Sequence, residues 1–177
     1  MPSAALRIRV SASTPFRSPR GLRAAVCLFA LLSGCRPTVD LRQGLQIEVI
    51  NTGWYDAGLV NGHNKLVPSL TFRARNVSSQ TLGTLQVNAL FRRITESDEW
   101  GSALVTAAGS SGLPPGATTP PLTVKSQLGY TGADQSRQEM LKNSRFVDAK
   151  VELFAKYGST QWVRVGEYPI ARELLMK

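Results

Sequence analysis

Leu85-Gln86-Val87-Asn88-Ala89-Leu90-Phe91-Arg92 is the stretch of this 177-residue chain that decides its fold. Apolar and polar side chains alternate along it with a period of two, which is typical of a β-strand with one buried and one solvated face. The same alternation occurs at 45–50 and at 70–75. We therefore predict strands in all three segments, with turn residues at Asn51-Thr52-Gly53 ending the first of them.

The rest of the chain alternates further strand patterns with turn residues. The polar cluster 76–81 predicts a hairpin or corner whose side chains bond nearby backbone groups. The loop 109–121 contains four prolines and is expected to hold no regular structure, whereas 134–143 is the predicted helix. Four more strands are predicted, at 101–107, 122–128, 146–157 and 160–168.

Seven strands and one short helix predict an all-β fold in which two antiparallel sheets pack face to face. The alternation also predicts which side chains point into the core. They are Leu70, Phe72, Ala74, Leu85, Val87, Ala89, Phe91, Ala149, Val151, Leu153, Ala155, Val163 and Val165. We expect this β-sandwich domain to span 45–172 and to leave 173–177 as a C-terminal tail.

A different signal lies near the N-terminus, where Leu32-Ser33-Gly34-Cys35 follows nine apolar residues at 24–32. Arginines, and no acidic residue, precede this run. At about 1.5 Å per helical residue, the run covers roughly half of the ~30 Å hydrocarbon core of a bilayer, so it is too short to span a membrane. The order of basic flank, short apolar run, small residues and cysteine predicts a secretory signal.

This motif resembles the lipobox of bacterial lipoproteins. The resemblance implies cleavage by signal peptidase II between Gly34 and Cys35, and a diacylglycerol on the Cys35 sulfur. We thus expect a cleaved signal peptide at 1–34 and a lipidated tether at 35–44, with an ordinary cleaved signal as the alternative. By analogy with the sorting of similar lipoproteins, Arg36 in place of Asp implies attachment to the outer membrane, facing the periplasm.

Three segments of the predicted domain resemble immunoglobulin-like modules of bacterial envelope proteins, including the FxLYD type. They are an Asn-x-Ser corner at 76–78, an alternating strand at 84–93, and a Leu-Pro-Pro-Gly-x-Thr loop with its following strand at 113–124. The Phe-x-Leu-Tyr-Asp signature itself is missing. The resemblance implies an immunoglobulin-like sandwich that serves in surface display or binding, and it assigns no fixed functional residues.

Charge and cysteine content exclude several classes of function. Five arginines lie in the expected leader, so the mature part carries 16 basic and 12 acidic residues, a net charge of +4 instead of +9. No clustered phosphate-binding patch remains, and we expect no nucleic-acid partner. Cys27 leaves with the leader and Cys35 is the lipid site, so the mature fold has no thiol for a disulfide, a redox motif or a zinc site.

The residues that catalysis or metal binding would need are scarce. His63 is the sole histidine and lies in the polar stretch 61–65, where a solvated loop residue is expected. Glu96, Asp98 and Glu99 lack the spacing of a calcium loop and indicate a solvated acidic turn. We expect a non-enzymatic protein with no catalytic residue, metal or cofactor. A hydrolase would require His63, Glu96 and Asp98 to meet in one deep pocket.

The aromatic residues give the remaining functional hint. They are Trp54, Tyr55, Trp100, Tyr130, Tyr157 and Trp162. Exposed rings at Trp54, Tyr55 and Trp100 would form platforms for carbohydrate or peptidoglycan, whereas the favoured alternative is that the rings cap one end of the core. The sequence therefore predicts a lipid-anchored envelope protein that binds or assembles with an envelope protein or cell-wall partner through surface complementarity or strand addition. A carbohydrate-binding module is the second hypothesis.

Overall fold

The computed structural model describes residues 38–175. The expected signal peptide, its Gly34–Cys35 cleavage site and the lipidation site Cys35 lie outside the described residues. The described part is mostly β, with two short helices. In chain order its elements are α1 (Leu41–Gly44), β1 (Leu45–Val60), β2 (His63–Asn76), β3 (Leu85–Arg93), β4 (Gly101–Ala108), β5 (Leu122–Lys125), β6 (Tyr130–Gly132), α2 (Arg137–Lys142), β7 (Ala149–Tyr157), β8 (Val163–Pro169) and β9 (Leu174–Leu175).

The strands form two sheets, as the sequence predicts. The first sheet has the order β5-β2-β1-β9, and β6 pairs with β2 beyond the end of β5. The second sheet has the order β4-β3-β7-β8. Neighbouring strands are antiparallel, except that β9 runs parallel to β1. The prediction of an all-β fold with two antiparallel sheets is confirmed.

The core lies between the two sheets and contains the side chains that the alternation placed there. β3 and β7 show the pattern most clearly, because every second residue from Leu85 to Phe91 and from Ala149 to Ala155 is buried. Of the predicted inward-facing set, only Val163 and Val165 are half-buried, and both pack against the core. They lie on β8, which is an outer strand of its sheet and is therefore covered on one side only.

β1 is much longer than predicted, because Asn51-Thr52-Gly53 does not end it. Val49 pairs with Phe72 and Asn51 pairs with Thr71, so Ile50 is an extra residue that forms a β-bulge. A β-bulge accommodates an extra residue in one strand, and the pairing between the two strands continues beyond it. The strand continues to Val60.

The turn that joins β1 to β2 is the two-residue pair Asn61-Gly62. Their φ values are 53° and 80°, the pair of positive angles that a type I′ hairpin needs and that Asn-Gly supplies most readily. Val60 then pairs with His63, so His63 is the first residue of β2 and the prediction of a loop histidine is wrong.

Other boundaries differ by a few residues. β5 ends at Lys125 instead of 128, and the chain turns so that β6, which was not predicted, pairs with β2. α2 is shorter than the predicted 134–143 and begins at a capping box formed by Ser136 and Glu139. The loop 109–121 contains no strand or helix, as predicted, and it is fixed to the end of β2 by hydrogen bonds of Ala74 and Asn76 and by an isolated bridge between Arg75 and Thr118.

The folded unit extends beyond 45–172 at both ends. Residues 38–44, part of the expected tether, pack on the domain: the Asp40 side chain caps α1, and Leu41 is a core residue with 1% exposure. Leu174 and Leu175, in the expected tail, pair with Trp54 and Tyr55. Residues 38–44 therefore belong to the folded domain and not to a free tether.

Candidate functional site

Four aromatic rings from separate parts of the chain pack together at one end of the sandwich. Trp54 lies in β1, Trp100 directly precedes β4, Tyr130 begins β6, and Phe146 precedes β7. The ring centroids of Trp54 and Phe146 are 4.6 Å apart in an edge-to-face arrangement, and those of Tyr130 and Phe146 are 4.5 Å apart. Such pairs contribute roughly 0.5–1.5 kcal/mol each beyond the area they bury. We call these four residues the aromatic cluster.

Trp54 is the buried centre of the aromatic cluster, so the hypothesis of an exposed binding platform at Trp54 is wrong. Its exposure is 0%, and its indole N–H has no hydrogen-bond partner among the described residues. A buried unpaired donor costs roughly 1–3 kcal/mol, which the packing of the neighbouring rings must offset. This placement agrees with the favoured interpretation, in which the Trp54 ring packs on the core.

Tyr55 and Trp100 are half-buried, and a cationic side chain packs over each of these two residues. Tyr55 points away from Trp54 because side chains alternate along a strand, and the Lys125 ammonium lies 3.1 Å from its ring centroid. The Arg93 guanidinium carbon lies 4.9 Å from the Trp100 ring. The three predicted platform residues are therefore divided: Trp54 and Trp100 lie together, with centroids 6.0 Å apart, and Tyr55 lies on the opposite face of its sheet.

Two arginines lie at the edge of the aromatic cluster, and each is paired with a carboxylate. The Glu96 carboxylate, 2.9 Å from Arg93, raises the pKa of that guanidinium above its ordinary value. The Arg172 guanidinium lies 5.3 Å from the Phe146 ring and donates to the Phe146 carbonyl at 2.8 Å, and its hydrogen bond to Asp148 raises its pKa. Both arginines therefore stay charged at any physiological pH.

A cavity of about 250 Å³ opens beside the aromatic cluster. Tyr130 and Phe146 contribute rings to its wall, and Met140 of α2 contributes an apolar side chain. The polar residues that line it include Gln135, Asn143 and Arg145. Small-molecule sites usually enclose about 300–1,000 Å³, so this cavity has room for a single ring or a short side chain.

Local hydrogen bonds fix the wall that α2 and its preceding loop contribute. The Ser136 hydroxyl accepts from the Glu139 N–H at 3.3 Å, and the Ser136 N–H donates to the Glu139 carboxylate at 2.7 Å. These bonds to Ser136 are the main reason that the pKa of Glu139 is lowered. Asn64 of β2 donates to the Gln135 carbonyl at 2.7 Å and so ties the loop to the first sheet.

The residues proposed for a hydrolase do not form a catalytic group. His63, Glu96 and Asp98 are all exposed, and the Glu96 carboxylate is engaged by Arg93. Between residues 38 and 175, no group of three or more His, Asp or Glu side chains is arranged to hold a metal ion. None of the helices in the same range has the length and hydropathy to cross a bilayer.

The cavity residues were largely missed by sequence reasoning. The sequence pattern identifies Tyr130 as an aromatic residue without assigning it to a site, and it predicts Phe146 as the first residue of a strand. The Ser-x-x-Glu spacing at Ser136 and Glu139 was the available signal, because a capping box fixes where a helix begins. No spacing rule places Gln135, which approaches the rings only through tertiary structure.

β4 offers a second kind of binding surface. Among the described strands it pairs only with β3, so one of its edges carries unpaired backbone groups. The strand has no charged residue and no proline, and Leu104 at its middle is 62% exposed. Such an edge is suited to strand addition.

Comparisons with known proteins give a likeness to a distant structure. No protein-family model matches the chain, and no curated protein matches it. The chain is similar to the X-ray structure of Northeast Structural Genomics Consortium target SoR45, with 12% sequence identity and a TM-score of 0.42. The likeness covers 75% of this chain and 89% of that one.

Proposed function

We propose that this chain is a lipid-anchored protein of the bacterial cell envelope whose β domain is a non-enzymatic binding or assembly module. The observation that carries the proposal is Leu32-Ser33-Gly34-Cys35 behind a short apolar run and a basic flank. Arg36 after the cysteine supports an outer-membrane location facing the periplasm. Because one acyl chain binds a membrane only marginally, the several chains of a mature lipoprotein make the attachment stable.

Metabolic labelling with radioactive palmitate tests the anchor. The wild-type protein is expected to incorporate the label and to fractionate with the outer membrane. The matched control is Cys35→Ala, which removes the thiol and is expected to abolish incorporation. Inhibition of signal peptidase II should cause an unprocessed, lipid-modified precursor to accumulate. A wild-type protein that carries no palmitate and stays in the cytosol would refute the proposal.

The immunoglobulin-like type of the sandwich is part of the proposal. It is supported by the corner at 76–78, where the buried Asn76 side chain organises the chain between the two sheets, and by the loop at 113–118 that lies against this corner. The family resemblance associates such modules with binding. A capture experiment on detergent-solubilised envelope, using wild type and Cys35→Ala, would identify the partner, and retention of one partner by the wild type is the expected result.

Carbohydrate or peptidoglycan binding is the second candidate, and the cavity beside the aromatic cluster favours it. Sugar recognition combines stacking on a ring with hydrogen bonds from planar polar side chains. Tyr130 and Phe146 supply rings in this cavity, and Gln135, Asn143 and Arg145 supply donors and acceptors. The proposed ligand position therefore lies beside the aromatic cluster and not on Tyr55.

Titration with soluble cell-wall fragments, followed by tryptophan fluorescence, tests this second candidate. Trp54 lies within 5.6 Å of Tyr130 between ring centroids, so an occupied cavity is expected to change its emission. Gln135→Ala and Arg145→Ala should each weaken binding, because they remove polar groups from the cavity. The matched control is Gln138→Ala in α2, which lies between the two positions; Gln138 is exposed and does not line this cavity. Equal affinity in all four proteins would contradict the assignment.

A further inference from the structure

The folded domain begins three residues after the expected lipid site, and this limits how far it can lie from a membrane. The described chain starts at Thr38, and the Val39 N–H donates to the Tyr157 hydroxyl at 2.6 Å. Consecutive Cα atoms are 3.8 Å apart, so the chain from Cys35 to Thr38 can span about 11 Å at most. A lipid on Cys35 therefore holds this end of the domain at the headgroup region.

Thr38 lies against the turn between β7 and β8. A groove of about 410 Å³ is lined on one side by Thr38, Val39 and Leu41 and on the other by Ser159, Thr160 and Gln161. We call the segments 38–44 and 156–162 the anchor-proximal end. The exposed Val77 also lies there, since its N–H donates to the carbonyl of Gly44 at 3.0 Å.

The anchor-proximal end carries side chains suited to a phospholipid surface. Trp162 is 40% exposed, and the Lys156 ammonium lies 4.9 Å from its ring centroid. Tryptophan prefers the boundary between headgroups and acyl chains, and a lysine beside it extends its charge toward lipid phosphates. Arg42 adds a second exposed cation, while the Asp40 carboxylate accepts a hydrogen bond from the Arg42 N–H.

The cavity beside the aromatic cluster lies far from this surface. Tyr130 pairs with Leu66, ten residues along β2 from Asn76 at the anchor-proximal side. Ten strand residues span roughly 33 Å. A domain held by the anchor-proximal end would therefore present the cavity toward the compartment away from the bilayer.

We propose that the anchor-proximal end rests on phospholipid headgroups, with the Trp162 ring in the interfacial layer and Lys156 at the phosphates. The proposal rests on the lipid anchor proposed above, and it adds a defined orientation. The anchor alone would allow any orientation within the reach of three residues. The exposed tryptophan and lysine select one of them.

Fluorophores at single introduced cysteines test this orientation in the full-length lipidated protein. The natural cysteines are Cys27, in the expected leader, and Cys35, at the lipid site, so Gln161→Cys and Ser144→Cys can each be labelled selectively. Both positions are exposed, and Ser144 lies near Phe146 at the cavity end. The labelled proteins are reconstituted in vesicles of phosphatidylethanolamine and phosphatidylglycerol that carry a headgroup-linked nitroxide quencher.

The label at 161 is expected to lose most of its fluorescence, and the label at 144 very little. Adding Trp162→Ser and Lys156→Ser to the 161-labelled protein should restore part of the signal, whereas Leu104→Ser, a matched exposed apolar change on β4, should not. Equally weak quenching at both positions, in protein that floats with the vesicles, would overturn the orientation and leave the anchor intact. Protein that does not float with the vesicles would overturn the anchor and the orientation together.

Discussion

At the scale of single residues, Asn76 is the polar side chain on which the corner between the sheets depends. It is fully buried, and its amide nitrogen donates to the carbonyls of Gln80 and Leu113, both at 2.8 Å. Its amide oxygen accepts from the Ser78 N–H at 3.0 Å and from the Ser78 hydroxyl at 2.7 Å. One side chain thus satisfies backbone groups on two separate loops.

Replacing Asn76 by Ala is expected to lower the free energy of unfolding by roughly 1–3 kcal/mol, because the corner loses the hydrogen bonds of a buried amide that joins it to the loop at Leu113. Chemical denaturation followed by circular dichroism measures the change. The matched control is Asn88→Ala, since Asn88 lies on the outer face of β3 and is half-buried. An Asn76→Ala protein as stable as the Asn88→Ala protein would show that the corner does not depend on these hydrogen bonds.

Gly129, in the turn between β5 and β6, lies very close to the backbone of β2 at Leu66. A β-carbon at this position would overlap the carbonyl oxygen of Leu66. Gly129→Ala should therefore destabilise the fold by about 1–3 kcal/mol, as overpacking does in a close-packed interior. Gly109→Ala is the comparison, because a β-carbon there meets nothing within 4 Å. The melting temperatures of the two variants are compared, and equal values would mean that the β5–β6 turn shifts freely.

At the scale of elements, the sequence predicts strands well where one face is buried and the other is solvated. β3 is predicted to within one residue because its alternation is unbroken. β1 could not be predicted in full, because the bulge at Ile50 reverses the alternation. Before the bulge, odd-numbered residues such as Leu45 face the core, and after it the even-numbered Trp54 does. A period-two pattern carried across the bulge would place Trp54 on the wrong face.

α1 is an element that the sequence assigned to a tether, and Leu41 is the residue that holds it to the domain. Its side chain is 1% exposed and belongs to the core. Leu41→Ala is expected to cost roughly 2–5 kcal/mol of folding stability, as is usual for a buried leucine. Gln43→Ala, an exposed change in the same helix, should be close to neutral. Equal denaturation midpoints for the two variants would mean that α1 does not pack on the domain in solution.

At the scale of the whole molecule, the candidate site could be predicted only as a set of aromatic residues. Which rings meet depends on β6 and on the segment before β7, and both are positioned by pairing and packing between distant parts of the chain. The cation over Tyr55 is Lys125 of β5, which lies far from that ring in sequence, whereas the cation over Trp100 is Arg93, at the end of the preceding strand β3. The sequence thus identifies the chemistry of the site, and tertiary structure decides which rings are accessible.

The outer face of the second sheet carries a charge network that joins three of its four strands. Glu152 of β7 accepts from Arg92 of β3 at 2.9 Å and lies 3.0 Å from Arg164 of β8. Glu167 of β8, directly opposite Glu152, is paired with Lys150 at 3.2 Å and also with Arg164. The cations therefore separate two like charges that the strand register places side by side.

This network should make folding stability depend on pH. The hydrogen bond from Arg92 is the main reason that the pKa of Glu152 is lowered. Its stabilising contribution is therefore fully present above the ordinary carboxyl pKa, about 4.3, and is lost as the pH falls through the lower folded-state pKa. Because the network is partly solvated, that contribution is about 1 kcal/mol.

Denaturation of wild type and Glu152→Gln at pH 7 and pH 3 measures the effect. The variant should lose about 1 kcal/mol less stability between the two pH values, because its amide does not titrate and cannot lose its charge. The control for removing one carboxylate is Glu99→Gln, in the exposed loop before β4. It should lose as much folding stability between pH 7 and pH 3 as the wild type does. If Glu152→Gln loses as much stability on acidification as Glu99→Gln does, the carboxylate does not link the three strands in the way its contacts indicate.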